Sequence, residues 1–167
     1  SSRMENVRLH ILGGVDDEEY ADECYALVKQ LDIKNLVFTG RVDIVQYMRK
    51  LDFTILTSIS EGQPLSVLES FAARRPCVTT DVGCCRELLN GKEGDDFGCA
   101  GYCVPPMYRD GLAFAMEKMC ESRRKRIRMG KRRTRQELRH ITGMKRMISE
   151  YRKLYREVEE AYGRDWI

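Results

Sequence analysis

Hydrophobic positions along this chain follow two spacings that alternate. Short runs rich in β-branched and aromatic residues, bounded by glycines or polar turns, predict strands, whereas apolar residues three and four positions apart predict helices. The predicted strands are 8–14 with its closing glycine turn, 35–39, 53–57, 77–80 and 100–104. The predicted helices are 15–31, 42–51, 64–75, a short one ending at 89, 112–120, 123–141 and 144–162.

Strands that alternate with helices in this way predict a Rossmann-like α/β domain with three layers, in which helices cover both faces of a parallel sheet. In such a sheet, ligands bind beyond the carboxyl ends of the strands, where the loops into the following helices gather. The loops after the first four strands are Gly13-Gly14, Gly40-Arg41, Ser58–Pro64 and Asp81–Cys84. We therefore expect the binding site at this edge.

Two carboxylates, Glu61 and Glu69, flank a turn and a predicted helix start. In the first turn of a helix a backbone N–H has no partner within the helix, so proline, which lacks this N–H, is tolerated there. Pro64 therefore predicts a helix start. Free N–H groups near Leu65 and Ser66 favour an anion, so an anion site is predicted at this helix start. The helix side predicted to face the core comprises Leu65, Leu68, Phe71 and Ala72. Taken alone, the two acids are better explained as one acid favoured by the dipole at a helix start and one solvated helix acid.

Composition places the chain among ordinary globular domains, with 167 residues, of which 43% are hydrophobic and 33% charged. The seven cysteines are scattered without a CxxC pair, and His10 and His140 stand alone. This pattern predicts neither zinc nor a disulfide framework but reduced thiols in the cytoplasm, with no metal and no cofactor. Cys84 and Cys85 at a helix start could have lowered thiol pKa values, although packing is the favoured interpretation.

Positive charge is concentrated in one region of the sequence. Between Arg123 and Arg135 nine residues are Arg or Lys and none is acidic, whereas the net charge of the whole chain is only +3. The simplest interpretation is the solvated side of an amphipathic helix. A second one is attraction to an anionic membrane surface, such as the inner membrane face. Nucleic-acid binding is not predicted, because no base-reading or aromatic-interleaved pattern accompanies the charges.

The string Glu61-Gly-Gln-Pro-Leu-Ser-Val-Leu-Glu69, followed by Pro76, by Thr80-Asp-Val-Gly83 and by Glu87-Leu-Leu, resembles the family 4 glycosyltransferases, which have the GT-B fold. The segment Phe38-Thr-Gly-Arg-Val42 resembles a strand end of the same family. The resemblance covers nearly the whole chain. Within the family, this combination is most like the glycosyltransferase of the Pel exopolysaccharide pathway.

The resemblance implies that residues 1–167 form one nucleotide-sugar-binding domain, the C-terminal half of a GT-B fold, with 123–163 as its closing helices. It implies retaining transfer of a sugar from a nucleotide-sugar, by the Pel likeness a UDP-sugar, to an exopolysaccharide or other glycan, without a metal ion. Glu61 would be the catalytic residue that contacts the donor sugar, and Glu69 would hold the ribose hydroxyls. The other implied donor-binding residues are Gly14, Gly40, Arg41, Val42 and the turn Gly62–Ser66.

Two positions depart from the family pattern. Arg74 stands where the family ends the motif helix with glycine, which costs ~1 kcal/mol if the backbone is left-handed there. Cys84 replaces the second glycine of the turn after the fourth strand.

In the family, a strand and loop with an Arg and a Lys that neutralise the donor diphosphate precede the segment that begins at Arg8. An N-terminal acceptor-binding domain precedes them. We therefore expect the partner domain in the same parent chain and no catalysis by this half alone. The alternatives are a non-catalytic nucleotide- or partner-binding domain and half of a sugar-nucleotide epimerase, against which the Glu61–Glu69 string argues.

Overall fold

The structure is a computed structural model that describes residues 7–91, 98–132 and 144–162. The strands are β1 Leu9–Ile11, β2 Leu36–Phe38, β3 Thr54–Leu56, β4 Cys77–Thr80 and β5 Gly101–Val104. The helices are α1 Glu18–Gln30, α2 Ile44–Tyr47, α3 Leu65–Ala72, α4 Cys85–Asn90, α5 Arg109–Cys120, α6 Arg123–Arg132 and α7 Met144–Tyr162. The predicted alternation of strands and helices is confirmed.

Some element boundaries differ from the prediction. Helix α1 begins at Glu18 because the Asp17 side chain caps it, accepting from the Tyr20 N–H at 3.0 Å. The second predicted helix is a single turn, α2, that continues as a 3-10 turn over Met48–Lys50. The predicted continuation of α6 to Ile141 lies outside the described residues.

All strand pairs are parallel, as predicted, and they form two hydrogen-bonded groups. In the first, β1 pairs with β2, and His10 lies opposite Val37. In the second, β3, β4 and β5 follow one another, with Val78 of β4 opposite Ile55 on one side and Tyr102 on the other. Among the described strands, no backbone pairing joins the two groups.

The three-stranded group has a helical layer on each face. Strand β4 is buried along its whole length, and its alternating side chains enter two separate clusters. Cys77 packs towards α3 and α4, with Val67, Phe71, Leu88, Leu89 and Ala100. Val78 packs towards α5 and α6, with Val104, Ala115, Met119 and Met129. The predicted three-layer α/β architecture is therefore present in this part of the chain.

The predicted core side of the motif helix is partly wrong. Leu65 is 70% exposed and Ala72 is exposed, whereas the fully or nearly fully buried positions are Val67, Ser70 and Phe71. The reason is the rotation of the helix about its axis. Pro64 is a buried N-cap residue rather than a first-turn residue, and α3 turns its i, i+3, i+4 side, beginning at Val67, to the sheet.

Helix α6 lies against the chain segments that enter β3 and β4, at the amino ends of these strands. Arg126 donates to the carbonyl oxygens of Met119 and Cys120 at 2.8 and 3.1 Å and forms an ion pair with Asp52 at 3.3 Å. A Cβ on Gly130 would overlap the carbonyl oxygen of Arg74, so the two backbones meet there. Arg74 itself has φ +58°, so the backbone is left-handed at this departure from the family pattern.

Helix α7 has an apolar side that is exposed. Its apolar residues recur at helical spacing, and they are Met147, Ile148, Tyr151, Leu154, Tyr155 and Val158. Across residues 7–91, 98–132 and 144–162, none of the helices is both long enough and apolar enough to cross a bilayer.

Candidate functional site

The loop after β3 holds one of the two predicted acids in a fixed position. The Ser58 hydroxyl donates to Glu61 Oε1 at 2.7 Å. The Thr80 hydroxyl, buried at the carboxyl end of β4, donates to the Ser58 carbonyl oxygen. Glu61 is therefore oriented by two residues from neighbouring strand ends. Sequence reasoning did not single out Ser58 or Thr80, although both lie in or next to the predicted loops.

The loop after β4 locks the backbone on the other side of Glu61. The Cys84 N–H donates to the Gly62 carbonyl oxygen at 3.0 Å. Gly83 has φ +52°, and a Cβ there would overlap the carbonyl oxygens of Glu61 and Gly62. Only glycine fits at this position, because both the backbone conformation and the close approach exclude a side chain. We call Ser58, Thr80, Gly83 and Cys84 the Glu61 clamp.

The start of α3 lies immediately after the clamped turn. Pro64 caps the helix with extended backbone and no side-chain hydrogen bond, so the first N–H groups of the helix are not taken up by a capping side chain. Such N–H groups favour an anion. Pro64 can donate none itself. Ile59, at 73% exposure, and Leu65 present apolar surface beside this helix start.

Glu69 lies one helical turn beyond the helix start. It is four positions after Leu65 and three after Ser66, which places the three residues on the same side of α3. All three are exposed. The structure therefore brings together the predicted residues Glu61, Gly62, Gln63, Pro64, Leu65, Ser66 and Glu69 around one helix start.

A fixed charge pair borders this site. Arg86 donates to both carboxylate oxygens of Asp81, with Nε at 3.1 Å from Oδ1 and 2.9 Å from Oδ2. This hydrogen bonding holds the pKa of Asp81 below its usual value. Asp81 follows β4 directly, so the pair fixes the loop that carries Gly83. Burial raises the pKa of the Cys84 and Cys85 thiols, which supports packing rather than thiol chemistry.

The remaining predicted residues form a second group at the carboxyl ends of β1 and β2. The Gly13 N–H donates to the Gly40 carbonyl oxygen at 3.1 Å. A Cβ on Gly14 would come within 2.8 Å of Arg41 Nε, so these two loops touch. Gly40 has φ +66°, and the exposed Arg41 lies 3.6 Å from Asp16. Gly14, Gly40 and Arg41 are thus close together, with Val42 next in the chain.

Comparison with known proteins gives one family match and matches to several solved structures. A family model described as "Glycosyl transferases group 1" matches residues 1–122. Two Escherichia coli relatives, the O-antigen biosynthesis glycosyltransferase WbnH and the probable O-antigen biosynthesis glycosyltransferase WbiN, are each 36% identical over 91 residues. These 91 residues are 54% of this chain and 25% of either relative. The match therefore spans about a quarter of the length of these curated relatives.

Solved structures match over most of the chain. Sucrose-phosphate synthase from Thermosynechococcus elongatus aligns with a TM-score of 0.81 at 20% identity, covering 96% of this chain and 40% of that protein. Anabaena HepE in complex with UDP-glucose aligns with a TM-score of 0.75 at 20% identity, covering 89% of this chain and 41% of that protein. S. aureus TarM, solved with UDP among its ligands, aligns with a TM-score of 0.75 at 18% identity, covering 92% of this chain and 30% of that protein. At these identities the likeness establishes a shared fold, the predicted C-terminal half of GT-B.

Proposed function

Because the chain belongs to the group 1 glycosyl transferases, we propose that it is the donor-binding half of a larger, retaining transferase that moves a hexose from a UDP-sugar to a glycan. The matched solved structures are more than twice as long as the segment they share with this chain. The proposal therefore assigns the acceptor site to an N-terminal domain of the same parent protein. The proposed location of this protein is the cytoplasm.

The observation that carries the proposal is the clamped carboxylate beside a helix start that has no side-chain capping hydrogen bond. Glu61 is held by the Ser58 hydroxyl at 2.7 Å, and the next residue is held by the Cys84 N–H at 3.0 Å. A carboxylate fixed in this way loses little freedom when it meets a ligand, which favours electrostatic catalysis by a preorganised group. We assign Glu61 to the donor sugar and its developing charge.

Glu69 fits the nucleoside part of the same donor. A carboxylate has two acceptor oxygens, which match two neighbouring ribose hydroxyls. Its position on the same side of α3 as Leu65 and Ser66 puts it one turn away from the N–H groups assigned to the diphosphate. The proposed order along α3 is therefore phosphate at the helix start and ribose at Glu69.

The second group of loops is assigned to the base. The Gly40-Arg41-Val42 backbone and Gly14 lie together at the carboxyl ends of β1 and β2, the edge where such sheets bind nucleotides. Uracil is the proposed base, and its support is the UDP or UDP-glucose with which the matched HepE and TarM proteins were solved. A glycan acceptor is supported by the O-antigen biosynthesis names of the relatives. The closer likeness to the Pel-pathway enzyme stays a prediction.

The separation of the strands into two groups is the basis for a proposal on how the two halves join. In the doubly wound order 3-2-1-4-5-6, the strands run outwards from one central strand. The groups β1-β2 and β3-β4-β5 match that order if β1 and β3 flank an open central position. We propose that a strand from the preceding part of the parent protein occupies it and brings the diphosphate-binding Arg and Lys to this edge.

Titration of this chain with UDP, UDP-glucose and GDP tests the assignment, with calorimetry as the measurement and circular dichroism to verify folding. We expect UDP and UDP-glucose to bind more tightly than GDP. Glu69→Ala should weaken UDP binding about tenfold or more, because it removes charge-assisted hydrogen bonds to two hydroxyls. The matched control is Glu23→Ala, an exposed acid in the middle of α1.

Two outcomes contradict the proposal. Equal UDP affinity in Glu69→Ala and the parent chain would exclude the ribose assignment. Absence of binding by any nucleotide, from a chain that is folded, would favour a domain that binds only partner proteins.

A further inference from the structure

The basic residues of α6 divide into two classes with different surroundings. The Arg126 side chain is 14% exposed, donates hydrogen bonds to the carbonyl oxygens of Met119 and Cys120, and forms an ion pair with Asp52. Lys125 donates to the Tyr102 hydroxyl and lies over the ring of the same tyrosine. These two charges hold α6 on the domain and are not available to a partner.

The other basic residues of α6 face away from the domain. Arg123, Arg124, Arg128 and Lys131 are exposed and fall within one side of the helix, on which Ile127 is 45% exposed. The opposite side carries the buried Met129 and Gly130. The exposed side of α6 is therefore basic with an apolar residue in its centre, and α6 contains no acidic residue.

Other basic residues lie on segments that neighbour the buried side of α6. Arg75 Nε donates to the Met48 carbonyl oxygen at 3.1 Å, and Arg75 Nη2 donates to the Arg49 carbonyl oxygen at 2.7 Å. The end of α3 is thereby joined to the 3-10 turn, and Gly130 joins α6 to the same place through the Arg74 backbone. Lys50 lies over the Tyr47 ring, and Gly130 is on the buried side of α6, so these neighbouring residues are not counted with the exposed charges. We name the exposed basic side of α6, with Arg123, Arg124, Arg128 and Lys131, the basic edge.

We propose that the basic edge docks on an anionic membrane surface. Its charge is complementary to acidic lipid headgroups, and an exposed Ile127 between the charges can enter the headgroup boundary. The basic edge lies at the amino ends of β3 and β4, whereas the Glu61 clamp lies at their carboxyl ends. Docking in this orientation leaves the candidate donor site open to solvent. This inference does not depend on which nucleotide that site takes.

The proposal is tested by sedimentation of this chain with two kinds of vesicle, at low salt and at physiological salt. Neutral vesicles contain phosphatidylcholine alone, and anionic vesicles contain about one third phosphatidylglycerol. We expect binding to the anionic vesicles alone, weakened by salt because exposed charges are screened. The triple variant Arg124→Gln, Arg128→Gln, Lys131→Gln should reduce binding about a hundredfold, since each basic residue contributes about fivefold. None of these three side chains makes a hydrogen bond or ion pair among those described, so the fold should be kept.

The matched control is the triple variant Lys29→Gln, Lys34→Gln, Arg109→Gln, which removes the same charge from exposed positions outside the basic edge. It should keep most of the binding. An equal loss in both triple variants, or equal binding to neutral vesicles, would overturn the proposal. Tighter binding to a random-sequence RNA duplex than to anionic vesicles at the same salt would also overturn it.

Hydrogen exchange locates the contact. Anionic vesicles should slow exchange in peptides from α6 and leave peptides that contain Gly62 and Gly83 unchanged. Protection of the Gly62 and Gly83 loops instead would place the membrane at the opposite edge and contradict the orientation.

Discussion

The position of Gly83 allows a quantitative test of the Glu61 clamp. Replacing it with alanine puts a side chain on a residue with φ +52°, which costs about 1–2 kcal/mol. The added Cβ would also lie 2.9 Å from the carbonyl carbon of Glu61 and overlap the two nearby carbonyl oxygens. The loop must then separate from the turn and lose the hydrogen bond from Cys84 to Gly62, worth about 1 kcal/mol. A smaller unfolded-state gain of about 0.4–1 kcal/mol opposes these terms.

The expected result for Gly83→Ala is a decrease of about 2 kcal/mol in the free energy of unfolding, measured by urea denaturation. Gly40→Ala is the matched control for stability, because Gly40 also has a positive φ, +66°, but a Cβ there would meet no atom within 4 Å. For Gly40→Ala, the free energy of unfolding should decrease by about 1 kcal/mol, from backbone strain alone. In the same preparation, Gly83→Ala should weaken UDP binding through displacement of Glu61 and the helix start. An equal stability loss in the two variants would show that the clamp is not a tight contact.

Three further predictions concern stability. Arg74→Gly should raise the free energy of unfolding by about 0.5–1 kcal/mol in urea denaturation, because glycine relieves the φ of +58°, and an unchanged or lower value would contradict this. Arg126→Met should lower the free energy of unfolding by about 2 kcal/mol in the same assay, because two carbonyl oxygens at the end of α5 lose their donor. The control Arg124→Met, at an exposed position, should change the free energy of unfolding little. Burial raises the pKa of Cys77 to about 12 and that of Cys103 to about 11, above the unfolded value near 8.5. As the pH rises, the unfolded chain therefore loses these thiol protons before the folded chain does. The contribution of the two buried thiols to the free energy of unfolding is fully present below about pH 8 and should be lost as the pH rises from about 9 towards 11. In reducing buffer, Cys77→Ala should make the decline of unfolding free energy with pH shallower. An equal slope in this variant and the parent chain would refute the raised pKa of the Cys77 thiol as its cause.

The sequence predicts best where one short segment carries the whole signal. Cys77–Thr80 is a run of small and β-branched residues between Pro76 and a polar turn, and the structure has β4 at those residues. Pro76 also indicates that the motif helix ends before it, but the predicted end at residue 75 lies three residues beyond the observed end at Ala72. The left-handed Arg74 lies between that end and Pro76.

The errors concern how segments meet. Periodicity shows that a helix has an apolar side, but the rotation of the helix is set by its cap and by the sheet, so the pattern predicts a core position for Leu65, which is exposed. The Glu61 clamp joins residues more than twenty positions apart, Thr80 with Ser58 and Cys84 with Gly62, and no local pattern specifies such contacts. The division of the strands into two groups is a property of neighbours in space, which alternation along the chain cannot supply.

The separation of the two edges limits what the arginines of α6 can do for the donor. Helix α5 has 12 residues and returns from the carboxyl ends of the strands to their amino ends, a span of about 18 Å. This exceeds the screening length of about 8 Å at physiological ionic strength, so exposed charges on α6 contribute little to a diphosphate at the start of α3. If the proposed donor diphosphate binds there, its neutralisation requires nearer charges, and the exposed Arg41 belongs to the other group of loops. The proposed strand and loop from the parent protein would supply those cations.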